Sequence, residues 1–264
     1  MTEITSAQNP KIKHLLQLQQ KSQLRRSEGL FVVEGRRELE HCLQAGYEVE
    51  SLFVRDANDA AGAEKTFLLP PAIYEKVAYR GSTEGVIAIV KERRHTLGEL
   101  MPTPSRSAGA GSGLSPLFVV LESVEKPGNL GAVLRSADAA GATAVIVCDP
   151  LTDLYNPNLI RASIGAIFTV PTVACSSGEC IHFLHEHGIS ILTAQLQDSS
   201  LYYETDMRGP TAIVMGTEST GLSQQWRQAA TAHIRIPMLG RLDSLNVSVS
   251  AAILLYEAVR QRRG

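Results

Sequence analysis

Strand-like and helix-like segments alternate along the second half of the chain, and this alternation constrains the fold more than any other feature. Short runs rich in Val, Ile and Leu alternate with segments whose apolar residues recur at helical spacing. Strands separated by helices form parallel sheets, because each helix carries the chain back across the sheet. We therefore predict an α/β domain whose parallel sheet is covered by helices on both faces. The predicted strands are 117–121, 144–148, 189–194, 211–215 and 233–236. The predicted helices are 129–140, 157–165, 177–187, 223–230 and 245–260.

The first 100 residues indicate a smaller α/β domain. Apolar residues recur at helical spacing after Asn9, and short β-branched runs follow them. The predicted helices are 11–24 and 36–45, and the predicted strands are 30–33, 51–54 and 86–90. Residues 101–115 read MPTPSRSAGAGSGLS, and a segment of such small and polar residues has little to bury. We therefore predict a domain over 1–100, a linker over 101–115 and a second domain over 116–264.

Composition narrows the class of protein. The 264 residues carry 25 Lys and Arg against 27 Asp and Glu, which excludes a generally basic protein but permits a local basic patch. No apolar run reaches the length of a membrane span, and the polar N-terminus does not resemble a signal peptide. The four cysteines form no C-x-x-C pair, and no His or Cys shows metal-ligand spacing. We expect free thiols, no metal and a cytoplasmic location.

Three polar motifs follow predicted strands, where open α/β sheets bind their ligands. The first reads N-x-G-x-x-x-R over 129–135, and its Asn129 is a candidate helix N-cap. The second reads G-x-E-x-x-G over 216–221. The third reads I-P-M over 236–238 and then S-L-N-V-S over 244–248. Each motif alone also fits an ordinary capped helix or a strand–turn–helix junction. The order and spacing of all three together are much more specific than any one of them.

Together the three motifs resemble the SpoU (TrmH) family of RNA ribose 2′-O-methyltransferases, within the SPOUT superfamily. The resemblance covers about 117–260, and one departure is Thr217, where the family more often has Asn. It implies a parallel-sheet domain whose C-terminal segment threads a deep trefoil knot, and a homodimer formed through the knotted domains. Residues 1–100 are similar, more loosely, to the family's α/β RNA-binding domain, which resembles a ribosomal protein. The likeness there rests on residues 31–36.

The resemblance also implies a cofactor and roles for individual residues. S-adenosylmethionine would be the co-substrate, without a metal. Its expected contacts are Gly216, Ile236, Met238, Leu245 and Asn246. The expected catalytic residues are Arg135, Asn129, Glu218, Ser244 and Asn246. Because a guanidinium group effectively never loses its proton in a protein, we expect Arg135 to bind the phosphate beside the target ribose rather than to act as a simple base.

The basic patch indicates where RNA would bind. Residues 1–37 contain seven Lys and Arg against three Glu, and in this motif context we expect the patch to contact phosphates. The expected RNA contacts are Lys11, Lys13, Arg25, Arg26, Arg36 and Arg37.

The identity of the substrate stays open at this point. A separate N-terminal RNA-binding domain favours ribosomal RNA, whereas a tRNA 2′-O-methyltransferase and a non-catalytic RNA-binding protein of the same fold are alternatives. A nucleotide-binding enzyme of the doubly wound type would need a strand-linked G-x-G-x-x-G motif, which this chain lacks.

Overall fold

The structure is a computed structural model, which describes residues 1–60, 63, 65–79, 84–101, 115–217 and 219–263. The chain divides into two compact units. Unit 1 comprises Met1–Arg93 and Asp153–Thr169, and unit 2 comprises Arg94–Thr152 and Val170–Gly264. A segment of the predicted second domain thus clusters with the first unit. Most of the predicted linker, residues 102–114, lies outside the described residues.

Twelve strands and ten α-helices form within the described residues. The strands are β1 (Thr2–Glu3), β2 (Leu30–Glu34), β3 (Val49–Val54), β4 (Thr66–Leu68), β5 (Val86–Lys91), β6 (Leu117–Glu122), β7 (Ala144–Cys148), β8 (Thr172–Cys175), β9 (Ser190–Ala194), β10 (Ser200–Leu201), β11 (Thr211–Met215) and β12 (Ala232–Arg235). The helices are α1 (Pro10–Gln20), α2 (Ser22–Glu28), α3 (Arg36–Gln44), α4 (Pro71–Val77), α5 (Pro127–Ala140), α6 (Pro157–Ala162), α7 (Ala166–Thr169), α8 (Ser177–Glu186), α9 (Gln224–Ala229) and α10 (Val247–Arg263).

Unit 1 contains a five-stranded mixed sheet in the order β1-β4-β3-β5-β2, as far as the structure describes it. Strand β5 runs antiparallel to both of its neighbours, β2 and β3. The apolar face of α1 packs onto this sheet through Ile12, Leu15 and Leu18. The single helix predicted over 11–24 is wrong, because the backbone at Lys21 is extended (φ −108°, ψ 104°) and separates α1 from α2.

The segment Asp153–Thr169 belongs to the core of unit 1. The Phe31 ring of β2 stacks on the Tyr155 ring at a centroid distance of 4.3 Å, and Phe168 lies 6.0 Å from Phe31. Arg25 Nε donates to Asp153 Oδ2 over 2.7 Å, and the Arg25 side chain is only 4% exposed. Its Nη1 also donates to the carbonyl oxygens of Leu18 and Gln19. Arg25 therefore stabilises the interior of unit 1, and it does not present a charge at the surface.

Unit 2 contains a seven-stranded parallel sheet within the described residues, in the order β10-β12-β9-β11-β6-β7-β8. The α/β architecture predicted from the alternating segments is confirmed. Helices α5 and α10 pack together, with Val133 and Leu134 on α5 and Leu254 and Leu255 on α10 fully buried. Trp226 of α9 is buried in the core cluster that includes Phe118. Among the described helices, none combines the length and apolar character that a membrane crossing requires.

Candidate functional site

A cavity of about 450 Å³ opens at the carboxyl ends of β9, β11 and β12. Its lining comes from the last residues of these three strands, from the segments that follow them, from Arg227 of α9 and from the start of α10. Five residues predicted from the motifs line it: Gly216, Ile236, Met238, Ser244 and Leu245. The sheet thus brings the second and third motifs together, as expected for loops at one edge of a parallel sheet.

Gly216 allows the backbone to fold tightly beside this cavity. A Cβ atom at position 216 would lie 2.2 Å from the carbonyl oxygen of Gly221 and 2.6 Å from the amide nitrogen of Leu222. These distances are far below van der Waals contact, and both atoms belong to the backbone. Only glycine therefore fits at position 216 while the turn keeps its shape.

Thr217 holds the turn between the two glycines of the second motif. Its Oγ1 accepts a hydrogen bond from the amide of Thr220 over 3.0 Å and lies 2.7 Å from the Thr220 hydroxyl. The amide of Gly221 donates to the Thr217 carbonyl over 3.1 Å, and Gly221 adopts the left-handed region at φ 68°. The threonine hydroxyl acts as an acceptor within its own turn, as Asn, Asp, Ser and Thr side chains do. Glu218 lies outside the described residues.

The first and third motifs meet through two asparagines. Asn246 Nδ2 donates to Asn129 Oδ1 over 3.1 Å. Asn246 Oδ1 accepts from the amide of Ser248 over 3.0 Å, which makes Asn246 the cap of α10. Asn129 lines a smaller cavity of about 150 Å³, and the two cavities share Gly216 in their walls.

The expectation that Asn129 caps α5 is wrong. The helix begins two residues earlier, at Pro127, and Lys126 is the residue before it. Proline is favoured at a first helical position, because its missing N–H would have no partner there. Asn129 therefore lies in the first turn of α5, and its Oδ1 accepts the hydrogen bond from Asn246.

Among the polar residues of the cavity that belong to none of the three motifs, two have buried atoms without a partner in the part of the chain that the structure describes. Gln195 follows β9 directly and Arg227 belongs to α9, and both line the larger cavity. Gln195 Oε1 and Arg227 Nε are buried atoms with no hydrogen-bond partner among the described residues. A buried polar atom without a partner is costly, so a ligand with a complementary donor and acceptor would fit here. The only signal in the sequence is that Gln195 is polar and follows a strand.

Comparison with known proteins identifies the family. The model of the SpoU rRNA Methylase family matches residues 116–256. The chain belongs to this family. A second family model, the MRM3-like substrate binding domain, matches residues 9–88. The three motifs therefore lie within the region that matches the SpoU family. The resemblance of the N-terminal part to a substrate-binding domain of this family is confirmed over residues 9–88.

Similar proteins match almost the whole length of this chain. An RNA 2′-O ribose methyltransferase of known structure is 41% identical, covers 99% of both chains and superposes with a TM-score of 0.82. An AdoMet-bound rRNA methyltransferase from Sinorhizobium meliloti is 27% identical over 98% of this chain and 97% of its own, with a TM-score of 0.88. The 23S rRNA (guanosine(2553)-2′-O)-methyltransferase RlmP of Bacillus subtilis is 26% identical over 97% of this chain and 98% of its own.

Arg135, the expected catalytic residue of the SpoU domain, lies on the exposed side of α5. It is six residues beyond Asn129, which corresponds to about 9 Å along a helix. It lines neither cavity, and it makes no hydrogen bond or ion pair with any residue that the structure describes. Its guanidinium is thus available to a group from another molecule.

The expected RNA contacts differ in their surroundings. Lys13 and Arg26 are exposed, whereas Arg25 is buried in its ion pair with Asp153. Arg36 and Arg37 are exposed but lie 2.7 Å and 3.2 Å from carboxylate oxygens of Asp59 and Glu38. The ammonium group of Lys11 lies 4.6 Å from the centroid of the Phe67 ring. Five of the six residues therefore stay candidates for RNA contact, and the buried Arg25 does not.

Proposed function

We propose that this chain transfers a methyl group from S-adenosylmethionine to a ribose 2′-hydroxyl of ribosomal RNA. The observation that carries the proposal is the convergence of the three SpoU motifs on the 450 Å³ cavity and the adjoining Asn129–Asn246 pair. Family membership supports it, and so does the similarity to rRNA methyltransferases of Bacillus subtilis and Sinorhizobium meliloti. The substrate-binding family that matches residues 9–88 supports a separate RNA-holding domain.

The residues of the cavity fit S-adenosylmethionine. Its volume is in the usual range for small-molecule sites. The unpartnered Gln195 Oε1 would accept a hydrogen bond from an amino group, and Arg227 Nε would donate one to an acceptor of the ligand. Apolar walls would come from Met215, Ile236 and Leu245. Bound S-adenosylmethionine supplies an electrophilic methyl group on its sulfonium sulfur.

Residues of the three motifs would position the ribose. Arg135 would hold the phosphate next to the target ribose through two parallel N–H···O hydrogen bonds and remain protonated throughout. Fixing the 2′-hydroxyl in line with the methyl group removes a large part of the barrier, because a well-oriented transfer gains about 7–11 kcal/mol. The Asn129–Asn246 pair and Ser244 would border the reacting hydroxyl. The family resemblance adds Glu218 to the catalytic residues. The proton of that hydroxyl would leave to the phosphate or to water.

We also propose the assembly that the family resemblance implies. The segment between β12 and α10 would thread a trefoil knot, and two knotted domains would form a homodimer. Large apolar side chains lie exposed on this part of unit 2, with Leu239 97% and Leu242 80% exposed and Val249 and Tyr256 about half exposed. Exposed apolar side chains in one region favour burial by a partner, and a two-fold interface is the commonest arrangement in homo-oligomers.

Transfer of tritium from labelled S-adenosylmethionine to purified RNA tests the function. We expect label in ribosomal RNA of a strain that lacks the gene and little label in RNA of the parent strain, where the site is already methylated. Ribose-methylation mapping of both RNAs then gives the nucleotide. Label confined to tRNA would support the tRNA-modifying alternative, and binding of RNA without transfer would support the non-catalytic one.

Replacing Thr217 with valine should weaken S-adenosylmethionine binding about fivefold or more. The substitution keeps the side-chain shape but removes the acceptor of the Thr220 amide, and losing such a hydrogen bond costs about 1 kcal/mol or more. Calorimetric titration of the full chain measures the dissociation constant. Thr217→Ser keeps the hydroxyl and is the matched control, with an affinity within about twofold of the wild type. Equal affinities for the valine and serine variants would contradict the role of the hydroxyl.

Removing three exposed cations of unit 1 should flatten the salt dependence of RNA binding. The triple variant carries Lys11→Ala, Lys13→Ala and Arg26→Ala. Each lost phosphate contact reduces the slope of log affinity against log salt by about 0.7–0.9, so we expect a decrease of about 2–3. Binding to ribosomal RNA is measured at several salt concentrations. Arg208→Ala removes an exposed arginine of unit 2 and should leave the slope unchanged. An unchanged slope in the triple variant would mean that these cations form an ordinary solvated surface.

A further inference from the structure

Three cysteines that are far apart in the sequence come together in unit 2. Cys148 is the last residue of β7, Cys175 is the last residue of β8, and these two residues pair in register across the parallel strands. Cys180 lies in the first turns of α8. The three sulfur atoms all lie within 4.8 Å of one another. None of the three residues lines the cavity proposed for the cofactor.

The spacing of the sulfur atoms is close to that of a metal site. A Zn²⁺ ion bound at about 2.3 Å by tetrahedrally arranged thiolates holds its sulfur atoms about 3.8 Å apart. The three sulfur atoms therefore need to approach by no more than about 1 Å, which small side-chain rotations can supply. A disulfide needs a larger movement, because its sulfur atoms are only about 2.05 Å apart, and it would leave the third thiol unused.

The surroundings combine a dry interior with one opening. Cys148 and Cys180 are fully buried among apolar side chains of the core, whereas Cys175 is partly exposed. An ion arriving from solvent would therefore meet the sulfur of Cys175 first. The carboxylates of Glu179 and Asp149 are close enough to Cys175 to interact with it electrostatically, and they add negative charge that attracts a cation.

We propose that Cys148, Cys175 and Cys180 bind one Zn²⁺ ion, with a water molecule at the open side as the fourth ligand. Binding releases three thiol protons to solvent and forms three Zn–S bonds, so no oxidant or reductant is involved. Three thiolates with Zn²⁺ leave one net negative charge. A monovalent ion such as Cu(I) would leave two in the same apolar surroundings, so the divalent ion is favoured.

The ion would act on the structure of unit 2. It would join the ends of β7 and β8, which form one edge of the seven-stranded sheet in the described residues, to the start of α8. Strand β8 is an edge strand of four residues, and such an edge is held by few backbone hydrogen bonds. The inference does not depend on the proposed methyl transfer, because the cluster lies apart from the cofactor cavity.

Metal titration of the full-length, untagged and fully reduced protein tests the proposal. Addition of Co²⁺ should produce a thiolate-to-metal charge-transfer absorption that saturates at one equivalent and disappears when Zn²⁺ displaces it. Cys175→Ala should weaken Zn²⁺ binding about tenfold or more, measured against a chelating dye. Cys42→Ala removes a buried cysteine of unit 1 and is the matched control, with unchanged affinity.

A second measurement uses the wild-type chain alone. Zn²⁺ should slow alkylation of the Cys175 thiol by iodoacetamide about tenfold or more. Absence of the Co²⁺ absorption, or equal Zn²⁺ affinity in Cys175→Ala and the wild type, would overturn the proposal. The metal proposal would also be overturned if the reduced protein bound no metal and two of the three cysteines formed a disulfide on oxidation.

Discussion

Arg135→Ala is expected to lower the rate of methyl transfer about 100- to 1,000-fold, with S-adenosylmethionine affinity within about twofold of the wild type. Removing one preorganised donor from a developing negative charge has this size of effect in other enzymes. The fold should tolerate the change, because Arg135 is exposed and makes no hydrogen bond or ion pair with the described residues. The loss should therefore appear in turnover, whereas cofactor binding and stability stay near their original values.

Single-turnover tritium transfer to the correct ribosomal RNA measures this effect, and calorimetry measures cofactor affinity on the same sample. Arg135→Lys keeps the positive charge but loses the planar guanidinium with its parallel donors. Its rate should therefore lie between those of the wild type and Arg135→Ala. Arg208→Ala removes another exposed arginine of unit 2 and should leave the rate unchanged. A rate for Arg135→Ala within a few-fold of the wild type would contradict the assignment.

Arg25→Met is expected to lower the free energy of unfolding by about 3–5 kcal/mol. The change leaves the carboxylate of Asp153, itself only 11% exposed, buried without its cation, and removing one partner of a buried pair has this cost. It also removes the donor to the carbonyl groups of Leu18 and Gln19 at the end of α1. Methionine keeps the length and apolar contacts of the arginine stem, so the loss reports the charge and the hydrogen bonds.

Urea denaturation followed by circular dichroism gives this value. The single tryptophan, Trp226, belongs to unit 2, so its fluorescence follows the other unit in the same titration. The neighbouring exposed Arg26→Met is the matched control, with a change of about 0.5 kcal/mol or less. Adding Asp153→Leu to Arg25→Met should recover part of the loss, because no uncompensated charge then stays buried. Equal stabilities of the Arg25 and Arg26 variants would contradict the structural role of the pair.

Much of unit 2 could be predicted because its strands are uninterrupted apolar runs. The strands 144–148 and 211–215 were predicted with the bounds that β7 and β11 have. Strand β8 was missed, since its four residues include Thr172 and Cys175 and give a weak hydrophobic signal. The break between α1 and α2 was also missed. Residues 19–23 are all polar, but they include no Gly or Pro that would end a helix, so the sequence does not locate the extended backbone at Lys21 that separates the two helices.

The residues of the candidate site also include some that the sequence predicts and some that it does not. Gly216, Ile236 and Leu245 could be placed in one site because their motifs follow strands of a parallel sheet, whose carboxyl ends meet. Gln195 and Arg227 could not, because nothing in local sequence indicates which polar side chains stay unpartnered after packing. The cysteines show no metal-ligand spacing along the chain, but spacing along the chain tests only residues that are close in sequence. Proximity of Cys148 and Cys175 depends on the order of strands in the sheet, which spacing does not encode.

The segment Asp153–Thr169 has a consequence for how such enzymes can be recombined. Since Phe31 packs on Tyr155 and Arg25 pairs with Asp153, the substrate-binding unit is encoded by two separate stretches of the gene. A chimera joined at 101–115 would combine the first stretch of one parent with the second stretch of the other. Functional exchange of RNA specificity between relatives would then require both stretches to be transplanted together, or compatible residues at these contacts in both parents.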